Sequence, residues 1–298
     1  MISGEYWPGD ITWFRGLGKG KFAKGEFLKG ADGKNANAGP PWKSTNKPEM
    51  DSLAAAPWLV DWDADGDLDL LVGNISGHVV LLLNDGDRKD AKFVRKGPIQ
   101  AGGSVLDAGH NDAGPTTVDW DGDGLWDLIV GSGNGSVTFF RNTGDKREPR
   151  FAAGVELIGS KKNMTLLPGK SPTRPGSRTK PFACDWNGDG QLDLLVGDYS
   201  SSQTPAPTLD EERTKRRDEL QAKQTELSSK LAKLYETRKD GDEQLSAAAQ
   251  AESAAISKEM SKLYQELAPL IPGHESHGYV WVYLRTAKAT GKPGAPIR

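Results

Sequence analysis

Only one of the 298 residues is cysteine and only four are histidine. A lone thiol cannot build a disulfide framework. Cys184 stands in the slot that Val60 and Val118 fill in equivalent segments, so it reads as a core side chain rather than a nucleophile. Four histidines, two of them in one loop, are too few to assemble acid–base chemistry readily, and no Gly-x-Ser-x-Gly elbow occurs. Long apolar runs are missing too. The longest, Val79–Leu83, is strand-sized and far short of the ~18 residues of a membrane span. Met1–Glu5 lacks the basic and apolar regions of a secretory signal. In place of long runs the chain has 36 glycines and 18 prolines spread throughout, which predicts many short strands joined by tight turns.

Three segments align without gaps. They are Val60–Gly73 (VDWDADGDLDLLVG), Val118–Gly131 (VDWDGDGLWDLIVG) and Cys184–Gly197 (CDWNGDGQLDLLVG). Self-similarity at this period marks a repeat architecture. Each continues into a glycine turn and a strand (Val79–Leu83, Val137–Arg141), a polar turn, and a further strand carrying Phe93 or Phe151. Strand, acidic loop, strand, hairpin, strand, hairpin, strand is a four-stranded antiparallel blade of the propeller kind. Gly9–Arg15 with Phe22 matches the back half of such a unit. Aligning Gly4 with Gly73 places its acidic loop before residue 1, so the first blade is incomplete.

The net charge of −3 conceals a segregation, because the three acidic loops alone hold twelve aspartates. Their pattern is D-x-[DN]-x-D-G-x-x-D. Calcium takes six to eight oxygen ligands, and a tightly wound loop gathers them from few residues. Positions 1, 3, 5 and 9 offer side chains, position 7 its carbonyl, and glycine at 6 permits the turn. The predicted ligands are Asp61, Asp63, Asp65, Asp69 and the carbonyl of Asp67; then Asp119, Asp121, Asp123, Asp127 and the carbonyl of Leu125; then Asp185, Asn187, Asp189, Asp193 and the carbonyl of Gln191. About three calcium ions are thus expected, with the third loop weakest because Asn187 replaces a carboxylate. An EF-hand would need glutamate at position 12, where Val72, Val130 and Val196 stand instead, each inside a strand. Trp62, Trp120 and Trp186 each follow the first aspartate and are expected to pack beneath their loops.

These units resemble FG-GAP/VCBS repeats, the calcium-loop blades of integrin α-subunit propellers and of many secreted bacterial proteins. The resemblance covers roughly residues 1–200 and 278–286. It implies a β-propeller with calcium loops on one face, placement at the cell surface, in the periplasm or outside the cell, and a role in adhesion or in binding a glycan or protein. The expected function is therefore non-enzymatic. The rival is a calcium-dependent propeller enzyme acting on polysaccharide, such as a lyase, for which no convergent His, Arg, Tyr or Lys set is visible.

His78 lies 17 residues after Asp61, whereas Tyr279 lies 94 after Asp185, an excess of 77 inserted at a hairpin tip of the last unit. Leucines at heptad spacing (Leu220, Leu227, Leu231, Leu234; then Leu245, Ala249, Ile256, Leu263, Leu267, Leu270) predict two helices of about 28 residues in an antiparallel coiled-coil hairpin. The expected organisation is propeller blades over 1–200 and 278–298, with the hairpin at 208–271 turning at Lys239–Asp242 and flanked by flexible hinges at Ser200–Pro207 and Gly273–Ser276. Its charges are mixed, which argues against a nucleic-acid or membrane arm; self-association is the open alternative. His274 and His277 read as a solvated loop rather than a zinc site. The basic stretch Gly159–Lys180 reads as a long loop between blades.

Overall fold

The computed structural model describes residues 1–39, 52–109, 111–160, 165–236 and 246–286. The protein is mainly β, with several antiparallel sheets and two helices. In the first sheet β1 (Ile2–Gly4), β2 (Ile11–Trp13) and β5 (Glu26–Phe27) pair in that order, while β3 (Gly16–Gly18) and β4 (Lys21–Phe22) form a separate hairpin. The strand closing this sheet thus carries Phe27, not Phe22 as the alignment suggested, because the glycine-rich stretch folds back on itself before the sheet resumes.

The second sheet is the antiparallel series β6 (Ala56–Val60), β7 (Asp69–Gly73), β8 (Val79–Asn84), β9 (Phe93–Pro98). After a small hairpin of β10 (Gln100–Ala101) and β11 (Ser104–Val105), the third repeats it with β12 (Gly114–Val118), β13 (Asp127–Gly131), β14 (Val137–Phe140) and β15 (Val155–Ile158). In both, the acidic loop joins the first two strands. The second strands, DLLVG and DLIVG, are buried throughout, as strands covered on both faces must be. In the fourth sheet β18 (Asp193–Gln203) lies between β17 (Ser177–Cys184) and β20 (Val280–Tyr283), and β16 (Thr165–Leu166) and β19 (His274–His277) pair with its outer end. Arg178 and Lys180 therefore belong to β17 and not to a loop; Lys161 and Lys162 lie outside the described residues.

Consecutive sheets pack through three apolar cores. Ile11 with Leu70, Val72, Val80 and Leu82 forms the first; Trp62, Leu71, Leu81, Leu128 and Val130 the second; Trp120, Ile129, Val137, Leu194 and Val196 the third. The approach is close at one recurring point. A Cβ on Gly4, Gly73 or Gly131 would stand 2.1, 2.2 or 2.1 Å from the carbonyl oxygen of Ala55, Ala113 or Thr179, each in or immediately before the first strand of the next sheet. Only a residue without a side chain admits that contact. At the equivalent Gly197 nothing described lies nearer than 3.8 Å.

The chain divides into two compact units, one carrying the first three sheets and the inner part of the fourth, the other the two helices with β16, the outer end of β18 and most of β19. Helix α1 (Glu211–Glu236) is capped by the Asp210 carboxylate, which accepts from Arg213 N at 2.8 Å; α2 (Ala247–Leu267) is capped by Ser246. Helix α2, at 21 residues, is shorter than the 28 or so expected; α1 is described over 26 residues, and Leu245 and the Lys239–Asp242 turn lie outside the described residues. Leu220, Leu227, Ile256, Leu263 and Leu267 are buried along one seam. Arg216 pairs with Glu266 and Lys223 with Glu259, so the helices run antiparallel. The flanking segments expected as hinges are largely strand: Ser200–Gln203 continues β18, and His274–Ser276 belongs to β19. His274 and His277, three apart on a strand, point to opposite faces and cannot share an ion.

Candidate metal centre

Each acidic loop leaves its sheet after the first strand and is tied down at its ninth position. Asp69, 1% exposed, accepts from Trp62 N through Oδ2 and from Asn84 N through Oδ1, both at 2.8 Å. Asp127 does the same with Trp120 N at 3.0 Å and Asn142 N at 2.7 Å. Asp193 does so with Trp186 N at 3.1 Å and, across the insert, Arg285 N at 2.7 Å. The ninth aspartate thus clamps the loop to the end of the third strand, a role the spacing did not announce. Desolvation raises the pKa of Asp69 to about 6 and pushes that of Asp127 upward, against the lowering effect of these hydrogen bonds. Asn84 and Asn142 extend the clamp, their Oδ1 atoms accepting from the amides of the following turn, Gly86 and Lys92 in one case, Gly144 and Arg150 in the other.

The three loops differ in what the remaining carboxylates meet. In the first, ligand atoms of Asp61, Asp63 and Asp65 lie within 4.8 Å of one another. Asp61 Oδ1, Asp63 Oδ1 and Asp67 Oδ1 are buried without a hydrogen-bond partner. Asp67, counted from sequence only for its carbonyl, has its side chain enclosed, and the residue is 7% exposed. Desolvation raises its pKa, and the neighbouring charges of Asp65, Asp63 and Asp61 add to that. An unpaired buried carboxylate among like charges is costly, and a divalent cation satisfies the whole set at once. The loop is wound tightly enough that Ala64 takes φ 57° and Gly66 φ 96°.

In the second loop Asp119, Asp121 and Asp127 bring ligand atoms within the same 4.8 Å, and Asp121 Oδ1 is buried and unpartnered. Asp119 also accepts from Gly122 N at 2.8 Å and Gly124 N at 2.9 Å. Asp123 Oδ1 accepts from Leu125 N at 3.0 Å. The third loop turns inward on itself. Asp185 accepts from the amides of Gly188, Asp189 and Gly190, and Asn187 Nδ2 donates to Asp189 Oδ2 at 3.0 Å. Gln191 N donates to Asp189 Oδ1, and Asp185, Asn187 and Asp189 are exposed.

Trp62 and Trp120 are both 7% exposed, packed under their loops as expected; the tilted ring of Phe151, from the connection between β14 and β15, lies 5.8 Å from that of Trp62. Trp186 departs from the expectation at 59% exposed. The two buried tryptophans are covered by neighbours beyond their own sheet: Phe151 on Trp62, and Arg285, just past β20, 4.6 Å over the Trp120 ring.

Residues that sequence reasoning passed over include Arg141. Its Nε lies 2.6 Å from Asp121 Oδ2 and its Nη2 3.2 Å from Asp123 Oδ2. The available signal was positional: Arg141 occupies the place that Leu83 and Leu284 hold in the other units.

No curated protein matches the chain in a sequence search. Residues 61–130 and 119–196 each match the FG-GAP-like repeat family, and the two matches between them take in all three acidic loops. The aligned loops and their paired clamps thus fall within residues 61–196, the stretch that matches the FG-GAP-like repeat family.

Proposed function

We propose that the protein is a calcium-stabilised repeat module of propeller type, working outside the cell as a binding or adhesion element for a glycan or a protein. The reading rests above all on the first loop, where three buried carboxylate oxygens from Asp61, Asp63 and Asp67 have no partner. Calcium, a hard cation that accepts six to eight oxygens in irregular arrangements, suits a set of carboxylates and one or two carbonyls better than magnesium, which keeps its water. Bound there, it would supply charge neutralisation and cross-link the loop. The second loop would hold an ion through Asp119, Asp121, Asp123 and Asp127, the third through Asp185, Asn187, Asp189 and Asp193.

A binding role is supported by the side-by-side first strands β6, β12 and β17. Trp58 Nε1 donates to Thr117 Oγ1 at 2.8 Å, and the Trp58 ring lies 6.1 Å from that of Phe182. Phe182 is 48% exposed. Such an aromatic face suits stacking by a sugar or an apolar side chain. No helix among the described residues is long and apolar enough to cross a membrane.

The test is thermal unfolding in calcium and in chelator. Saturating one site to a hundred times its Kd adds about 2.7 kcal/mol to the folded form, which moves the Tm of a unit this size by roughly 5–10 °C. An unchanged midpoint in millimolar calcium would remove the basis of the reading.

A further inference from the structure

The second loop already contains a positive charge. Arg141 follows β14, and its backbone cannot drift: Asn142 N is held by Asp127 Oδ1 at 2.7 Å, and Arg141 O accepts from Ala152 N at 2.9 Å. From this fixed root the guanidinium reaches over the loop rim to Asp121 Oδ2 and Asp123 Oδ2. Those carboxylates stand at the third and fifth positions of the loop, where an incoming ion would need them. The side chain itself is half exposed, at 54%, so nothing encloses it in this position. In the first loop the equivalent residue is Leu83, and Arg88, a basic side chain at that loop, donates to the Gly66 carbonyl instead. Among the described residues no ion pair engages Asp61, Asp63 or Asp65.

We propose that Arg141 is a built-in competitor for the second loop, neutralising Asp121 and Asp123 until a divalent cation displaces its guanidinium. The proposal rests on the reading of the loops as calcium sites and adds a ranking to it. The first loop binds most tightly. The second folds without an ion and takes one up only at higher concentration, because the ion must both expel the guanidinium and accept a positive neighbour left nearby. Near a protein surface, solvent screening and side-chain freedom reduce the attraction between such paired charges to a modest net effect. The net effect is a loss of about tenfold in affinity.

Calcium titration calorimetry on the full chain tests this, with Asp61→Asn and Asp63→Asn introduced to silence the first loop. Arg141→Leu installs the residue that both other units carry and should tighten one remaining site by about tenfold. Arg141→Lys keeps the charge but loses the two-pronged geometry, and should tighten it less. In the otherwise native chain Leu83→Arg should weaken the first loop. Circular dichroism checks that each variant is folded. If the first loop binds calcium in the native chain while Arg141→Leu leaves the second loop unchanged or weaker, the competitor role is overturned and the calcium reading stands. If the native chain binds no calcium at any loop, both fall together.

Discussion

At the scale of single residues, the aspartate pattern was open to reading, while the contacts that make each aspartate different were not. Asp61 and Asp119 occupy the same position in aligned loops, yet Asp61 Oδ1 is buried and unpartnered while Asp119 accepts two glycine amides. The difference accompanies Ala64 in place of Gly122 at the fourth position, which spacing alone does not reveal. Lys180 is a similar case. It looked like one more charge in a basic loop, but its stem lies over Gly114 and its ammonium donates to Asp112 O at 2.9 Å and Ala113 O at 3.2 Å. Desolvation lowers its pKa to about 8, with Asp112 opposing and Arg178 reinforcing the shift. The folded form therefore releases the proton first. Below pH ~8 both states are protonated; between ~8 and ~10.5 the unfolded chain alone holds the proton, so stability rises with pH across that window. Urea denaturation at pH 7.5 and 9.5 should show the native protein gaining on Lys180→Met between the two. Parallel behaviour of the two proteins would show that the ammonium is not perturbed.

At the scale of elements, the second sheet followed from alternating turns and apolar runs, with Phe93 opening its fourth strand as expected; in the third, β15 begins at Val155, past the expected Phe151, which makes only isolated bridges to Asn142 and Ala101. The first sheet resisted, since its closing strand is postponed past the hairpin of β3 and β4, and the deferral depends on pairing between Thr12 and Phe27 that no local signal encodes. The packing between sheets was hidden for the same reason. Gly73 and Gly131 read as strand ends, whereas they are the points where one sheet touches the next. Gly131→Ala should cost several kcal/mol, on the order of 3, by driving a methyl group into the Thr179 carbonyl. Gly197→Ala, where the Lys180 carbonyl oxygen stands at an ordinary contact distance of 3.8 Å, should change stability by less than about 1 kcal/mol. Equal losses at the two positions, measured by chemical denaturation, would refute the close-contact account.

At the scale of the whole molecule, the helical insert was legible from its leucine spacing, and its junction was not. Serine, proline and glycine suggested hinges, but Thr204 N donates to Gly273 O at 3.0 Å and Gly273 N donates to Thr204 Oγ1 at 2.8 Å. Backbone pairing overrode composition there. Because Thr204 and Gly273 are already bonded neighbours, replacing Pro205–Pro272 with a short Gly/Ser turn should leave a folded chain that retains its calcium-dependent transition while losing most of its helical circular dichroism. Failure of that variant to fold in calcium would show that the sheets depend on the helices.

The glycine contact has a further consequence for how such a chain can lengthen. Gly4, Gly73 and Gly131 act as sockets, and the carbonyls of Ala55, Ala113 and Thr179 as plugs of one gauge, so each of the first three sheets carries the fitting its neighbour requires. A duplicated stretch of gene would bring a compatible joint with it, and the count of sheets could change without inventing a new interface. The Asp193 clamp extends the same tolerance inward: it grips Arg285 across 92 residues as it grips Asn142 across 15 in the third sheet, with Asp127 in its place. Material can enter at a hairpin tip while the joint keeps its bite.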